Sequence, residues 1–394
     1  MAKNKNVRTY QRGKTWTFCF ETKNVEGKRK PYTKGGFPTE EEAYKAGMAA
    51  LADYVNGQTL AKEINISFGD FLLKWLENNY KHDVKEITYT SIYALTKKHI
   101  IPVIGHIALT DLSHINIKSF LAKKTDEGYS KATLQQLKGI ITKALTAAIV
   151  EYNYISTNPA REVAIPKAGS RRVARKRIPI TKTEQKTLLK ACSDNRNLYT
   201  AVMIGLHCGL RIGETFALTW DDIDFDKKTI DINKQISYAN HRMYVDAPKY
   251  NSVRVICIDD ALISALNKLK AEYLEEKLKC VDYPDKLLYE DDRADGALKK
   301  FDFIFRKTNG ALYSRNLGTA HLKELKDELK MDVDFHTLRH THCTDLISCG
   351  APLKAVQQRM GHKNIDITMS IYTSVSKDMD DQVKTLLNTA LYAN

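Results

Sequence analysis

Apolar and polar residues alternate along positions 7–34, around Trp16, Phe18 and Phe20 and then Pro31 and Tyr32. Alternation with period two predicts half-buried strands. Gly13, Asn24, Gly27 and Gly35-Gly36 break the pattern and supply turns, so three short strands are expected. Thr39 caps a helix running to about Tyr54. Glu40, Glu41 and Glu42 fill its first turn, where the macrodipole favours acids. Residues 1–60 thus read as a small β-sheet plus helix domain.

The period changes to that of helices over 65–165. Phe68, Phe71, Leu72, Trp75 and Leu76 form one apolar face after Ser67, an N-cap. Further helices are predicted near 87–98, 114–124 and 131–152. In the last of these, after Ser130, Leu134, Leu137, Ile141, Leu145 and Ala148 recur at helical spacing. This segment is all-α. Residues 166–178 have no apolar period and many basic residues, the mark of a linker.

Residues 179–394 mix both periods. A helix starts at Thr181 or Thr183 and carries Leu188, Leu189 and Ala191. Leu198 to Leu206 is apolar enough for a buried helix. Thr229–Ile232 and Val253–Ile258 alternate as strands with a ribbon between them, and the remainder reads as helical. Met379, Val383, Leu386, Leu387, Ala390 and Leu391 form an apolar stripe over 376–394. The expectation is a multidomain chain whose last domain is mixed and mainly α, with a small β-ribbon sheet. No internal repeat or low-complexity segment is found.

Composition narrows the function. The 394 residues are 43% hydrophobic and 27% charged, as in globular proteins. No apolar run is long enough to span a bilayer. The first twenty residues are basic but lack the apolar segment of a secretory signal. The net charge of +14 points to a polyanion. Charge alone fits DNA, RNA or an anionic membrane surface. Residues 1–34 hold ten Lys or Arg, among them Arg8, Arg12, Lys14, Lys28, Arg29 and Lys30, against Glu21 and Glu26. Basic strands interleaved with aromatics suit a sheet laid into a DNA groove; a solvated basic face is the plainer reading. Lys97, Lys98, Lys123, Lys124, Lys131, Lys138 and Lys143 are expected on exposed helix surfaces, within reach of DNA backbone. Arg171, Arg172, Arg175, Lys176 and Arg177 would carry the linker past phosphates. The seven cysteines are scattered and form no CxxC pair. That fits a reducing cytosol and opposes both a disulfide framework and a cysteine-rich zinc site.

Three blocks carry the candidate chemistry: Cys208-Gly209-Leu210-Arg211-Ile212-Gly213-Glu214, His336-Thr337-Leu338-Arg339-His340, and Met360-Gly361-His362 followed by Tyr372. Paired guanidinium N–H groups clamp phosphate in a way lysine cannot. Histidines move protons or hydrogen-bond the phosphate, and a phenol oxygen can attack phosphorus. A phenol with pKa near 10 needs a positive site and a proton acceptor to do so. His336 and Arg339, three apart, share a helix face. Gly361 is a natural C-cap that leaves His362 just beyond a helix end. His336 and His340 are spaced as in helical zinc sites, but position 337 is Thr and no carboxylate intervenes to act as a base. No Walker loop or carboxylate metal cluster is present.

These blocks, with Leu218-Thr219-Trp220 and Ser370-Ile371-Tyr372-Thr373 beside them, resemble the signature of the tyrosine recombinases (the phage-integrase family). The match is detailed over the last domain and holds for the earlier ones only in layout. The layout is most similar to integrases of conjugative transposons and temperate phages. The resemblance implies the tyrosine recombinase fold, with an arm-type DNA-binding domain at 1–60 and a core-binding domain at 65–165. It implies a catalytic domain at 179–394; its helix 376–394 can dock on its own domain or on a neighbour, and the resemblance favours exchange between subunits. It implies Tyr372 as nucleophile, Arg211 and Arg339 as phosphate clamps, and His336 and His362 as their partners, with Glu214 and His340 supporting the site. A general-acid lysine on a β-ribbon falls on Lys249, after Pro248; Arg254 is its competitor. The expected function is integration and excision of a mobile element through a 3′-phosphotyrosyl link, without cofactor or metal. The alternatives are a type IB topoisomerase-like enzyme and a non-catalytic integrase-like DNA-binding regulator. Expected partners are core-type and arm-type attachment sites in double-stranded DNA, a homotetramer on two duplexes, an excisionase and DNA-bending host proteins, with no membrane. The expected location is the bacterial cytoplasm, at the nucleoid.

Overall fold

The computed structural model describes residues 6–22, 30–55, 66–166, 178–240 and 242–375. The chain divides into two compact units between residues 175 and 176.

In the first unit, β1 (Arg8–Arg12), β2 (Thr15–Thr22) and β3 (Lys30–Phe37) form an antiparallel sheet in that order, covered by α1 (Glu40–Val55). Phe18 and Phe20 are buried, with Val7, Tyr32, Phe37 and Tyr54 around them. Gly13, at φ 65°, makes the β1–β2 turn. The Thr9 hydroxyl donates to Glu40 Oε1 of α1 at 3.0 Å. Since side chains alternate along a strand, Arg8, Tyr10 and Arg12 share the opposite face, and all three are exposed.

The same unit holds a helical body with its own core. α2 (Phe68–Trp75) passes through a π-helical turn, Leu76–Tyr80, into α3 (Lys81–Asp83). α4 (Glu86–Leu95) likewise passes through Thr96–Ile100 into α5 (Ile101–Ile104). α6 (His114–Asp126) and α7 (Lys131–Val150) complete it. Ser67, Ser113 and Ser130 cap their helices through Oγ, as expected for the first and last. One expectation fails: Lys124 is buried, and its ammonium pairs with Glu127 at 2.8 Å, so it cannot serve DNA. Burial of the stem draws the charge inward, and the carboxylate three residues on satisfies it.

The second unit opens with α8 (Lys182–Ala191), capped by Thr181 and Glu184. α9 (Arg196–Cys208) is buried along most of its length, and the short α10 (Ile212–Thr215) follows. β4 (Ile223–Asp224), β5 (Thr229–Ile232) and β8 (Arg254–Cys257) make one small sheet, in that order. β6 (Gln235–Ala239) and β7 (Arg242–Asp246) are the ribbon expected between the strands. After α11 (Asp260–Lys279) comes a departure from the helical reading. β9 (Leu287–Asp291) and β10 (Ala297–Phe301) form a hairpin turned by Asp295 and Gly296, both at positive φ. β9 lies parallel to β7, extending the ribbon to a sheet ordered β10-β9-β7-β6. Leu287, Tyr289 and Phe301 face the core and alternate with exposed residues, a period-two pattern too short to stand out.

α12 (Arg315–Glu328), α13 (Phe335–Ser348), α14 (Leu353–Met360) and α15 (Ile365–Val375) follow. α13 packs directly on α9. A Cβ added at Gly205 would lie 2.9 Å from the Leu338 side chain, so glycine permits the approach. Gly205→Val should therefore destabilise the second unit by about 1–3 kcal/mol, read as a lower denaturant midpoint. An unchanged midpoint would mean that α9 and α13 do not depend on this contact.

Candidate active site

α9 ends at Gly209, whose φ of 64° is left-handed. A Cβ there would sit 2.7 Å from His342 Cδ2 and 2.9 Å from Met360 Sδ, so both conformation and space require glycine. Leu210 then turns into the core, and Arg211 becomes the residue before α10. Its backbone N–H donates to Glu214 Oε2 at 3.0 Å, and its Nη1 to Glu214 Oε1 at 2.7 Å. Nη1 also donates to Ser252 Oγ at 3.3 Å, and Nη2 to the Gly361 carbonyl at 2.7 Å.

Arg339 reaches the same place from α13. It is 3% exposed. Nη1 donates to the Gly209 carbonyl at 2.6 Å and Nη2 to the Met360 carbonyl. Both acceptors lie at helix C-termini, where the macrodipole is negative. The end of α14 is a Schellman turn: Gly361 N–H donates to Gln358 O at 3.0 Å and His362 N–H to Gln357 O at 3.2 Å, with Gly361 at φ 63°. Arg211 and Arg339, 128 positions apart, thus meet on adjacent carbonyls.

A third arginine belongs here. Arg254 of β8 donates from Nη2 to Glu214 Oε2 at 2.8 Å, from Nη1 to Glu214 Oε1 at 3.3 Å, and from Nε to the Arg359 carbonyl at 2.7 Å. Glu214 is fully buried. Burial raises its pKa, but Arg254 and then Arg211 outweigh burial and hold it below the usual carboxylate value. Among the described residues, two guanidinium groups share this one carboxylate, and the third, Arg339, is held nearby on carbonyls. Burial, then Arg211, lowers Arg339 to about 9. His362 is pushed down to about 4, by burial first and then by Arg339, Arg211 and Arg254, so at neutral pH it is uncharged. Its Nδ1 lies 2.9 Å from the Thr368 hydroxyl of α15.

The other expected site residues lie around this centre. His336 is exposed at the start of α13, one turn before Arg339, and His340 is half-buried one residue beyond it. Lys249 is exposed in a 3₁₀ turn, Lys249–Asn251, between β7 and β8. Ser252 links that turn to the site: its hydroxyl donates to the Lys249 carbonyl at 3.0 Å while accepting from Arg211. Arg254, weighed as a rival to Lys249, is instead committed to Glu214. Tyr372 lies on α15, one turn after Thr368; its side chain lies outside the described residues.

Of the cations expected to meet DNA, Arg8, Arg12, Lys14, Lys97 and Lys98 are exposed and Lys138 is half-buried. Lys97 Nζ lies 4.9 Å from the centre of the Tyr93 ring. Lys28, Arg29, Arg171, Arg172, Arg175, Lys176 and Arg177 lie outside the described residues, as do the Lys30 side chain and the helix expected at 376–394. No helix among the described residues is long and apolar enough to cross a membrane.

Two supports went unrecognised in the sequence. Arg359 donates to His342 Nε2 at 3.0 Å, to the Cys257 carbonyl at 2.9 Å and to the His207 carbonyl at 2.9 Å. It ties α14 to β8 and to the end of α9. His342, buried, faces the Leu206 carbonyl through Nδ1 at 2.8 Å. An acceptor at Nε2 requires the neutral ring with its proton on Nδ1. His342 is thus a buried brace between α9 and α14, three residues on from Arg339.

The model of the phage integrase family matches residues 179–379. The chain belongs to the phage integrase family. It is a tyrosine recombinase, an enzyme of site-specific DNA recombination, and the topoisomerase-like and non-catalytic readings are not favoured. Two further family models match its earlier parts: the N-terminal SAM-like domain of phage integrases at 67–125 and an arm DNA-binding domain at 7–47. The recombinase is 26% identical over 362 residues to a XerC-like tyrosine recombinase of Caldanaerobacter subterraneus subsp. tengcongensis, covering 87% of this chain and 89% of that one. Its fold is similar to that of the Tn1549 transposon integrase, solved in complex with transposon right-end DNA. The TM-score is 0.64 at 21% identity, over 81% of this chain and 100% of that one. It is also similar to lambda integrase, solved as a tetramer bound to a Holliday junction. There the TM-score is 0.58 at 16% identity, over 94% and 95% of the two chains.

The neutral state of His342 has a consequence for stability. Burial, then Arg359, lowers its pKa to about 4 from 6.5. Between those values the unfolded chain binds the proton and the folded one does not. Stability is therefore full above pH 6.5 and falls as pH drops toward 4. At about 1.4 kcal/mol per pKa unit the ceiling is roughly 3 kcal/mol. Melting temperature should fall over this window, and His342→Gln should make the slope shallower. Parallel pH profiles for variant and parent would count against a buried neutral ring.

Proposed function

We propose that Arg211, Lys249, His336, Arg339, His362 and Tyr372 cleave and rejoin DNA at the ends of a mobile element. The observation that carries this reading is the imbalance of charge around Glu214: Arg211 and Arg254 bond it, Arg339 stands beside them on carbonyls, and the described residues set one carboxylate against these three cations. Such a centre is electrostatically prepared for an anion before any substrate arrives. Arg211, 19% exposed, is the arginine nearest solvent. Among the described residues it leaves its Nε–H and one Nη2 hydrogen unused, a pair able to meet two phosphate oxygens.

The steps follow from that placement. The Tyr372 oxygen attacks the scissile phosphorus, and its proton passes to His336. The bond from phosphorus to the 5′ oxygen breaks, and Lys249 gives that oxygen a proton. Arg211 holds the non-bridging oxygens, Arg339 adds field from behind, and neutral His362 completes the pocket. The phosphodiester bond becomes a 3′-phosphotyrosyl bond, so its energy is retained and neither ATP nor metal is needed. The 5′ hydroxyl of a partner strand then reverses the step. The tie between Thr368 and His362 supports placing position 372 at this pocket, since residues 368 and 372 are one turn apart on α15.

The division of labour proposed is an arm-site domain at 1–60, a core-site domain at 65–165, a basic linker at 166–178 and a catalytic domain at 179–394. The exposed row Arg8, Tyr10, Arg12 supports the first, and exposed Lys97 and Lys98 support the second. Assembly is proposed as a homotetramer on two duplexes, with 376–394 exchanged between subunits. The lambda integrase tetramer supports it. An excisionase and DNA-bending host proteins are proposed partners, and the bacterial nucleoid the proposed location.

Tyr372→Phe should bind attachment-site DNA as the parent does yet leave no covalent adduct on a nicked suicide duplex after denaturing electrophoresis. An adduct formed by this variant would exclude Tyr372 as nucleophile. Removal of residues 1–60 should erase the footprint on a distal arm site and preserve the one on the core site. Two intact footprints would reject a two-site protein.

A further inference from the structure

Tyr250 is placed against local preference. Its backbone is left-handed, with φ 62° and ψ 24°, and Asn251 after it has φ 52°. That region is unfavourable for a bulky aromatic and persists where surroundings enforce it. The side chain is 58% exposed, so burial does not explain the residue either.

What the ring meets is charge. Lys249 Nζ lies 5.1 Å from its centroid and Lys363 Nζ 5.6 Å. Lys249 precedes Tyr250, whereas Lys363 comes from the far side of the cleft, next to His362. Two ammonium groups repel each other, and an aromatic quadrupole attracts both. The turn beneath the ring is anchored. Asn251 N–H donates to the Pro248 carbonyl at 2.9 Å, and Ser252 joins the Lys249 carbonyl to Arg211. Tyr250, Ser252, Arg254, Gly361, His362 and Lys363 line one cleft of about 330 Å³.

We propose that Tyr250 is a positioning residue for the leaving-group proton: its ring gathers the Lys249 and Lys363 ammonium groups at the cleft lined by Arg254 and His362. The proposal rests on Lys249 as the acid. In the cleavage step the Tyr372 oxygen bonds to phosphorus, the bond to the 5′ oxygen breaks, and that oxygen takes a proton from Lys249 Nζ. Tyr250 touches none of these atoms. It acts by holding Lys249 where the 5′ oxygen departs.

The test uses the full chain and two suicide duplexes, one ordinary and one with sulfur as the 5′ bridging atom. A thiolate leaves without a proton, so the second duplex bypasses the acid. Tyr250→Asn removes the ring and suits the left-handed backbone. Losing contacts worth about two- to five-fold each, it should cleave the ordinary duplex roughly five-fold or more slowly, bind DNA as the parent does, and match the parent on the sulfur duplex. Tyr250→Phe, which keeps the ring, should restore ordinary cleavage. Lys249→Ala runs beside them. If sulfur does not rescue Lys249→Ala, the acid reading fails and this proposal falls with it. If sulfur rescues Lys249→Ala but not Tyr250→Asn, or if Tyr250→Asn is as fast as the parent on the ordinary duplex, the positioning role alone is overturned.

Discussion

The buried carboxylate of Glu214, bonded by Arg211 and Arg254 at once, is the constraint on which the site depends. A carboxylate without water around it is costly unless paired. Here the pairing is more than complete, and the excess is positive. Arg211 is held on three sides, so it loses little freedom when a phosphate arrives. Arg254 bonds both oxygens of the same carboxylate and grips the Arg359 carbonyl, which joins β8 to α14. The small sheet β4-β5-β8 is thereby part of the site, although none of the family's signature blocks lies in it.

Helix ends do the rest of the positioning. α9 and α14 both stop on left-handed glycines, and each presents carbonyls that no helical N–H can satisfy. Arg339 satisfies one from each helix. The dipoles that draw it there offset the burial of its charge. His342 and Arg359 close the arrangement from the other side, with the guanidinium donating to a neutral ring. The whole is a lattice of cations on carbonyls, with the Glu214 carboxylate among them.

Much of this was legible in the chain because the informative residues are chemically unusual where they stand. Gly209 and Gly361 announce helix ends, and Arg211, Arg339 and His362 sit beside those ends in recognisable blocks. The strands at 229–232 and 254–257 and the caps at Ser67, Ser130 and Thr181 could be read from local pattern alone. Arg254 and Arg359 could not, since their partners lie 40 and 17 to 152 positions away and an arginine in a strand or on a helix reads as a surface residue. Lys124 misled for the same reason in reverse: a lysine on a helix reads as exposed, and its burial goes with a pairing to Glu127 and a contact with the Tyr129 ring. The β9–β10 hairpin escaped because its alternation is short, and the strand it lies beside, β7, comes from a distant part of the chain.

The carbonyls that take Arg339 and Arg211 belong to consecutive residues, Met360 and Gly361. One peptide unit therefore gauges the gap between the two cations. Rotating α14 about its axis, or adding a residue before Gly361, would strip one acceptor from each guanidinium group at once, while Glu214 and Gly209 held their other ends. The two cations are therefore not independent: a shift of this one peptide is felt by both, and the clamp tightens or slackens as a unit.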